Sequence, residues 1–278
     1  MWWAVDGVRG VRGIRGTIVD MDDLVTRLVH RADARAAGIT DDELRRDVKN
    51  KVTERVWRGV YLPTGTGAPD GSSQGRTARL DRYRATVIGA ARHGGPERTA
   101  SHVSTAAMQR VPLLWPDLSK VHFTSATTGK STGRAVIHQS ALEPDDIVVI
   151  DDIRVTSPAR TVYDVARTGD LRRAVCALDS GLHLGATPDE LAAHAQLLKR
   201  HRGVAMLRAA LPLANGLSES VGESLSRLVL AENELIPTPE LQVEIAVVLD
   251  GRKKPSAATT GGATRTVCCA SSASSTER

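Results

Sequence analysis

The chain has 278 residues, a formal net charge of +5 and 41% hydrophobic residues, so it is long enough for two domains with real cores. It contains no apolar run of about 20 residues and no apolar N-terminal h-region, so neither a membrane span nor a secretory signal peptide is predicted. Its three cysteines cannot form an ordinary disulfide framework, because Cys268 and Cys269 are adjacent; we predict a cytoplasmic protein whose basic charge suits an anionic partner.

Within residues 1–20, the segment from Val8 to Gly16 repeats a three-residue unit in which an apolar residue is followed by arginine and glycine. We predict that 1–20 is a disordered N-terminal extension, or sequence upstream of a start at Met21. Disordered Arg-Gly repeats can also bind nucleic acid, and this alternative stays open.

The stretch 21–63 has the element order of a winged helix-turn-helix. Gly38 can supply the positive φ that ends one short helix. Thr40 and Glu43 then have the spacing of a capping box, which predicts a second helix over about 41–50. We expect this second helix to enter the major groove of duplex DNA.

Two short β-prone pieces follow this helix and predict a wing with its turn near Thr53-Glu54. Six cations between Arg45 and Arg58 face only Asp47 and Glu54, so the local balance is +4. Such a patch neutralises phosphates and releases counterions. The candidate DNA-binding residues are Thr40, Arg45, Arg46, Lys49, Lys51, Arg55 and Arg58. The alternative is a solvated helix face with no ligand.

Glycine and serine dominate residues 64–76, which predicts a linker. Helices are predicted after it at 77–92 and 99–109. Two strands, 121–124 and 135–138, are expected to be joined by a hairpin loop, and a second pair, 147–150 and 153–156, to turn at Asp151-Asp152. Further helices are predicted at 159–168, 170–183, 188–198, 203–213 and 218–234, the last with Val221, Leu225, Leu228 and Val229 inward.

These elements predict an α+β protein. An N-terminal winged helix-turn-helix precedes a mixed α/β domain at 77–216 whose C-terminal part is mainly helical. A strand over 241–249 follows, and 252–278 is predicted to be a disordered tail because it has one large apolar residue, Val267.

Three patterns resemble sites, but their context favours structural roles. The segment Thr124–Thr132 lacks the first glycine of a phosphate-binding loop and precedes a strand rather than a helix. His122 and His138 can face each other across strands, but a zinc site needs more ligands. Adjacent residues do not normally present their side chains to each other in the geometry that a nucleophile and its base need, so Ser101-His102 is interpreted as a cap or packing feature. No metal or cofactor is predicted.

A fourth pattern is Thr156-Ser157-Pro158-Ala159-Arg160. Ser157 can cap a helix whose first residue is Pro158, and Arg160 can pair with Asp164 at i, i+4. Either Arg160 lies in a buried helix start, or it faces a toxin, a nucleic acid or a nucleotide.

The assembled pattern resembles actinobacterial proteins with an AbiEi-type antitoxin domain, over roughly residues 22–215. The resemblance is carried by these motifs: Gly38-Ile39-Thr40 with Leu44-Arg45-Arg46, Arg58-Gly59-Val60-Tyr61, Ser101-His102, Val121-His122-Phe123-Thr124, and Thr156–Thr161 followed by Asp164 and Arg167. It implies a winged helix joined to an antitoxin-like domain with the motif residues Ser101, His102, Ser157, Arg160 and Asp164. It also implies repression of the protein's own operon and a nucleotidyltransferase-like toxin encoded nearby.

The segment 217–251 resembles the start of a very-short-patch-repair-like endonuclease, which is the alternative function. Its candidate acidic residues are Glu219, Glu223 and Asp250. The later acidic residues of that family have no match here, so we expect an incomplete, inactive segment. Glu219 and Glu223 can equally lie on a solvated helix face, and a truncated remnant without activity is a third possibility.

Overall fold

A computed structural model describes residues 22–64, 73–95, 97–233, 235, 241, 247–249 and 252–254. Within these residues the protein has an α+β fold, with helices and two mixed or antiparallel sheets of more than two strands. The predictions for 1–20, for most of the linker, for Asp250 and for 255–278 lie outside the described residues.

The N-terminal part contains three short helices and a three-stranded antiparallel sheet. The helices are α1 (Asp22–Arg27), α2 (Arg31–Ala36) and α3 (Asp41–Lys49), and the strands are β1 (Val29–His30), β2 (Thr53–Trp57) and β3 (Val60–Pro63). The strand order is β1-β3-β2. A small core of Ala34, Leu44 and Tyr61 joins α2 and α3 to this sheet.

A long helix, α4 (Ser73–Arg92), leads into a six-stranded sheet. The sheet strands are β4 (Thr99–Ala100), β5 (Val121–Ser125), β6 (Lys130–Ser131), β7 (Ala135–Gln139), β8 (Ile147–Ile150) and β9 (Ile153–Thr156), and α5 (His102–Met108) follows β4. Their order is β6-β7-β5-β4-β9-β8, with β5–β7 and β4–β9 parallel.

The rest of the described chain is mainly helical. Its helices are α6 (Pro158–Ala166), α7 (Leu171–His183), α8 (Pro188–Leu197), α9 (Val204–Ala210) and α10 (Val221–Ala231), and a final strand pair is β10 (Val247–Leu249) with β11 (Arg252–Lys254). These helices match the predicted positions to within a few residues. Ser157, Asp170, Thr187 and Ser220 cap four of them with their side chains.

Two larger cores hold these layers together. One includes Leu24 of α1, Val56 of β2, Ile88 of α4 and Phe123 of β5, so it runs without a break from the first helix to the six-stranded sheet. The other is formed between α6, α7, α8, α9 and α10. The hairpin β2–β3 is therefore positioned by packing against α4.

Two predictions near the hairpin were wrong. The turn lies at Arg58-Gly59, where Gly59 has φ +70°, and Thr53-Glu54 lie within β2. Only the glycine tolerates this left-handed conformation without strain. The predicted linker is also too long, since α4 begins at Ser73.

The strand pairing differs from the sequence prediction in the six-stranded sheet. We expected 121–124 and 135–138 to form a hairpin, but β5 and β7 are parallel and β6 lies antiparallel to β7. The predicted helix over 99–109 begins later, because Thr99–Ala100 form β4. The β8–β9 hairpin with its turn at Asp151-Asp152 is confirmed, and both turn residues have positive φ.

Two further expectations at the C-terminal end were wrong. Arg252–Lys254 were predicted to be disordered, but they form β11 and pair with β10. Val229 of α10 was expected to face inward, yet 47% of its surface is exposed. No helix in the described part of the chain is both long and apolar enough to cross a membrane.

Gly181 allows α6 and α7 to pack closely, because a Cβ at this position would lie 2.5 Å from Val162 Cγ2. We predict that Gly181→Ala lowers the free energy of unfolding by about 1–3 kcal/mol through overpacking. The matched control is Gly222→Ala on α10, where a Cβ would meet only Ser220 Oγ, at 3.7 Å. Because alanine favours helix more than glycine does, this control should be neutral or stabilising by up to about 1 kcal/mol. Urea denaturation measures both, and equal effects would contradict the prediction.

Candidate functional site

The first candidate site is the cationic surface of α3 and the β2–β3 hairpin. A capping box starts α3: the Glu43 backbone N–H donates to Thr40 Oγ1 (3.2 Å), and the Thr40 backbone N–H donates to Glu43 Oε2 (2.7 Å). The hydrogen bonds from the backbone and hydroxyl of Thr40 lower the pKa of Glu43. The predicted cap is confirmed, and the Thr40 hydroxyl is engaged within it.

Arg31 ties α2 to α3 and to the hairpin turn. Its guanidinium donates twice to Asp41, from Nε to Oδ1 (2.7 Å) and from Nη2 to Oδ2 (2.5 Å). Its backbone N–H donates to the carbonyl of Gly59 (2.8 Å). The hydrogen bond from Arg31 lowers the pKa of Asp41. One residue therefore contacts both α3 and the turn from the start of α2.

The six predicted cations all lie on the exposed surface of this region. They are Arg45, Arg46 and Lys49 on α3, Lys51 after it, Arg55 on β2 and Arg58 in the turn. Arg45 forms an exposed ion pair with Asp42, which costs little to break. Among the described residues, no carboxylate forms an ion pair with Arg46, Lys49, Lys51 or Arg58.

Two acidic residues, Asp47 and Glu54, lie in the same stretch from Arg45 to Arg58 and leave its local balance at +4. Glu54 forms an ion pair with Arg82 of α4. Val48 and Leu44 face the small core, which leaves the cations of α3 on its outer side. α3 and the adjoining hairpin therefore present cations on the surface. The capping box fixes where α3 begins, and Gly59 fixes where the hairpin turns.

The second candidate site is a buried ion network centred on Arg160, whose side chain is 1% exposed. The guanidinium donates from Nη1 to Asp146 Oδ2 (2.7 Å), from Nη2 to Ser140 Oγ (3.0 Å) and from Nε to Asp164 Oδ2 (3.0 Å). The i, i+4 pair of Arg160 with Asp164 is confirmed, and Arg160 lies in a buried helix start. Ser157 caps α6 as predicted, since its Oγ accepts from the Arg160 backbone N–H.

Asp164 lies between two arginines. Arg167 Nε donates to its Oδ1 (3.0 Å), while Arg160 binds its other oxygen. Burial raises the pKa of this carboxyl, but interactions with His102, Arg160 and Arg167 together lower it by more. Asp164 is therefore an ionised carboxylate within the protein, and the network is a paired rather than an isolated buried charge.

Ser101 and His102 belong to the same network. Arg167 Nη2 donates to His102 Nε2 (3.1 Å), and since an arginine can only donate, Nε2 must carry a lone pair. The proton of neutral His102 is then on Nδ1, which donates to Ser101 Oγ (3.0 Å). Burial, as the largest cause, holds the pKa of His102 well below its usual value, which agrees with a neutral ring.

The interpretation of this pair as a packing feature is confirmed by its burial, whereas Ser101 makes no side-chain cap. The two adjacent side chains are nevertheless in hydrogen-bond contact, and His102 has φ +53°, an uncommon conformation. The pair still lacks the arrangement of a nucleophile and a base, because the imidazole donates its proton to the hydroxyl and its other nitrogen accepts from Arg167. Both residues are almost fully buried. The two residues therefore form part of the buried hydrogen-bond network that includes Arg167.

His102 also begins a stack of three histidine rings. Its ring centroid lies 3.7 Å from that of His138, and His138 Nε2 lies 3.0 Å from His122 Nδ1. The proposed facing of His122 and His138 is confirmed. Burial is the main cause that lowers the pKa of His122, and it lowers the pKa of His138 to about 4. In the described part of the chain, no three His, Cys, Asp or Glu side chains are placed to hold a metal ion.

Three members of the network were missed by sequence reasoning: Asp146, Ser140 and His194. Asp146 lies 14 residues before Arg160, in the short 3-10 helix Pro144–Asp146, and His194 of α8 lies 3.7 Å from it. The available signal was the acidic pair Asp145-Asp146 directly before a β-strand. Its significance appears only when α6 packs beneath that loop.

Of the predicted acidic residues of the nuclease-like segment, Glu219 and Glu223 lie within the described part of the chain. Glu223 Oε2 accepts from the backbone N–H of Glu219 (2.9 Å) at the start of α10, and Glu219 is exposed. The buried carboxylate of this region is instead Asp179, which accepts from Arg227 (2.8 Å) and from the Asn215 backbone (2.6 Å). These contacts fasten α10 to α7.

Comparisons with known proteins give distant relatives. No family model matches the chain. Two proteins of Mycobacterium tuberculosis, uncharacterized protein MT2308 of strain CDC 1551 / Oshkosh and uncharacterized protein Rv2248 of strain ATCC 25618 / H37Rv, are each 28% identical over 208 residues, which covers 74% of this chain and 70% of theirs.

A solved structure is also similar, the crystal structure of the RV2827C protein from Mycobacterium tuberculosis. The two chains are 12% identical, with a TM-score of 0.37, and the match covers 82% of this chain and 90% of that chain. None of these three names states a ligand or an activity.

We predict that Arg160→Met lowers the free energy of unfolding by about 3–5 kcal/mol, because it leaves buried carboxylates without their partner. Arg172→Met is the matched control, since Arg172 forms an exposed ion pair with Glu232 and should cost less than about 1 kcal/mol. Urea denaturation at pH 7 measures both. Similar losses in the two variants would show that the Arg160 network is not a major source of stability.

The buried histidines predict a second, pH-dependent effect. Their folded-state pKa values lie below the unfolded value of about 6.5, so the unfolded chain binds protons first as the pH falls. Stability is then fully present above about pH 6.5 and is lost toward about pH 4, the pKa of His138. We expect the urea midpoint to fall between pH 7.5 and 5, and to fall less in His138→Gln. A midpoint that is equal at both pH values would contradict this.

Proposed function

We propose that the protein is a DNA-binding transcriptional regulator of the antitoxin type, which represses its own operon. The N-terminal part, from α1 to β3, would act as a winged helix-turn-helix with α3 as its recognition helix. Duplex DNA is the partner that this proposal requires.

One observation carries the proposal: four exposed cations without ion-pair partners among the described residues lie on α3 or in the segment from α3 to the hairpin turn. Arg46, Lys49, Lys51 and Arg58 are the members of this group. The three carboxylates of the first turn of α3 are engaged by Arg31, Arg45 and the Thr40 cap. The cations that follow them on the helix and the hairpin suit phosphate groups. Arginine on such a helix can also donate twice to a guanine edge.

The order of elements supports the same proposal. A turn at Gly38 separates α2 from α3, and the strands β2 and β3 follow α3 directly. The Arg31 contacts with Asp41 and Gly59 hold α3 and the hairpin in one arrangement. A DNA-reading surface needs this rigidity, because base contacts are specific only when helix and wing keep their spacing.

The antitoxin part of the proposal rests on the resemblance of the motifs around Ser101-His102 and Ser157–Asp164. Their burial in one ion network is compatible with a scaffold for a partner surface rather than with a reaction centre. A nucleotidyltransferase-like toxin encoded nearby would be the second partner.

The proposal is tested by a gel shift of the purified protein on its own upstream DNA, with scrambled DNA as competitor, at two salt concentrations. We expect specific, salt-sensitive retardation. Arg45→Ala with Arg46→Ala should weaken binding roughly 10- to 100-fold and reduce the slope of log K against log salt by about 1–2, because up to two phosphate contacts are lost.

The matched control is Lys199→Ala with Arg200→Ala, which removes the same charge from two exposed cations after α8. This control should bind DNA as the parent protein does. Equal weakening by both double variants would reduce the effect to net charge and contradict the assignment to α3. No retardation at low salt would remove DNA binding altogether.

A further inference from the structure

An open cavity of about 340 Å³ lies between β2, α4 and the loop that precedes β5. Its volume falls within the range of about 300–1,000 Å³ that small-ligand sites occupy. It is separate from the outer face of α3 and from the Arg160 network, and neither of the roles considered above uses most of its lining residues.

The lining of this cavity is strongly cationic. Two carboxylates face it, Glu54 and Asp117, against five cations: Arg55, Arg79, Arg82, Lys120 and Arg134. Glu54 is already paired with Arg82. Asp117 accepts from the Ser119 backbone N–H (2.9 Å), and hydrogen bonds from Ser119 lower its pKa, so it stays ionised. An excess of positive charge therefore remains in a concave space.

Trp57 and Arg134 form one wall of the cavity. The guanidinium of Arg134 lies over the Trp57 ring, 4.5 Å from its centroid, and Nη2 donates to the Val56 carbonyl (2.5 Å). A Cβ at Gly89 would lie 2.8 Å from Trp57 Cβ, so α4 packs directly on the base of this side chain. Cation and aromatic ring are held together on the packed face of β2.

The opposite side holds cations with fewer partners. Arg79 lies on the exposed side of α4, and Lys120 lies beside Tyr83, whose hydroxyl donates to the Lys120 carbonyl (2.8 Å). Among the described residues, no carboxylate forms an ion pair with the side chain of Arg79 or Lys120. Like charges gathered around a small volume repel one another, and an anion bound between them would remove that cost.

We propose that this cavity is a binding site for a small phosphate-bearing ligand. Arg79 and Lys120 would bind the phosphate groups, with Arg134 fixed as a third donor against Trp57. Arginine and lysine are the side chains that recognise phosphate by charge-assisted hydrogen bonds, and the size of the cavity favours a small molecule over a macromolecule.

Because of Arg55, a ligand in this cavity would also affect the hairpin. It lines the cavity and is also one of the cations proposed to contact DNA. A ligand that engages Arg55 would change the charge that the hairpin presents, and so the affinity for DNA. This regulatory consequence rests on the proposed function, whereas ligand binding itself does not.

Calorimetric titration of the full chain with inorganic tripolyphosphate, adenosine triphosphate and adenosine tests the site. We expect both phosphate compounds to bind and adenosine not to. Arg79→Gln with Lys120→Gln should weaken binding roughly 10-fold or more, as expected when charge-assisted hydrogen bonds are lost. A tighter affinity for adenosine triphosphate than for tripolyphosphate would identify the ligand as a nucleotide, and equal affinities as a polyphosphate of any kind.

The control is Lys199→Gln with Arg200→Gln, which removes the same charge from two exposed cations after α8 that belong neither to the cavity nor to the proposed DNA surface. It should leave the affinity for tripolyphosphate within about 2-fold of the parent, since screened charges outside the cavity contribute little. Equal weakening by both double variants, or no binding by either phosphate compound, would overturn the proposal.

A gel shift separates this proposal from the proposed DNA-binding function. If Arg79→Gln with Lys120→Gln weakens DNA binding while the parent protein does not bind tripolyphosphate, the cavity is part of the DNA surface and the small-ligand site is overturned. If tripolyphosphate binds but no DNA is retarded, the ligand site stands and the proposed function fails.

Discussion

The guanidinium of Arg160 is cut off from water, and all of its donors must find acceptors inside the protein. Those acceptors come from Ser140 after β7, from Asp146 before β8 and from Asp164 on the same helix. The segment between β7 and β8 is therefore tied to α6, and through Asp164 and Arg167 to His102 at the start of α5. A shift of any one of these elements would leave a charge buried without its partner, which disfavours other arrangements of the sheet and helices.

The N-terminal part depends on a different constraint, the packing of α4. This helix contributes Val87 and Ile88 to a core that also contains Val56 and Val60 of the hairpin and Phe123 of the sheet. The hairpin is thus a surface feature with a buried base. The cationic residues of α3 and of the turn are presented by a framework that continues into the rest of the protein.

The hairpin has two faces with different chemistry. Arg58, in the turn, belongs to the outer cationic surface, while Trp57 and Val56 lie against α4 and Arg134. Arg55 contributes to both the outer surface and the cavity behind it. As proposed, the DNA surface and the ligand cavity would therefore share Arg55 of β2. Ligand binding could then affect DNA binding directly, without a long chain of contacts between the two sites.

Local features were predictable from sequence because they depend on neighbouring residues. The capping box of Thr40 and Glu43, the Ser157 cap before Pro158 and the turn at Asp151-Asp152 each involve residues within a few positions of one another. The helix positions follow from the same local signals, as does the ion pair of Arg160 with Asp164. The exposed cations of α3 were also identifiable, since Leu44 and Val48 define its buried side.

Long-range features were not predictable in this way. The parallel pairing of β5 with β7 and the two-residue strand Thr99–Ala100 depend on partners far along the chain, and short apolar runs do not specify them. Asp146 became a partner of Arg160 only through the packing of α6, and the Ser101–His102 contact required a positive φ at His102.

The sequence by itself determined the α+β class, the helices with their caps and the cationic surface, because these follow from local periodicity and charge. Only the tertiary structure decided the strand order, the membership of the ion network and the cavity behind β2. The reason is that strand pairing and burial bring together residues far apart in the sequence, and no local pattern indicates which of them will be in contact.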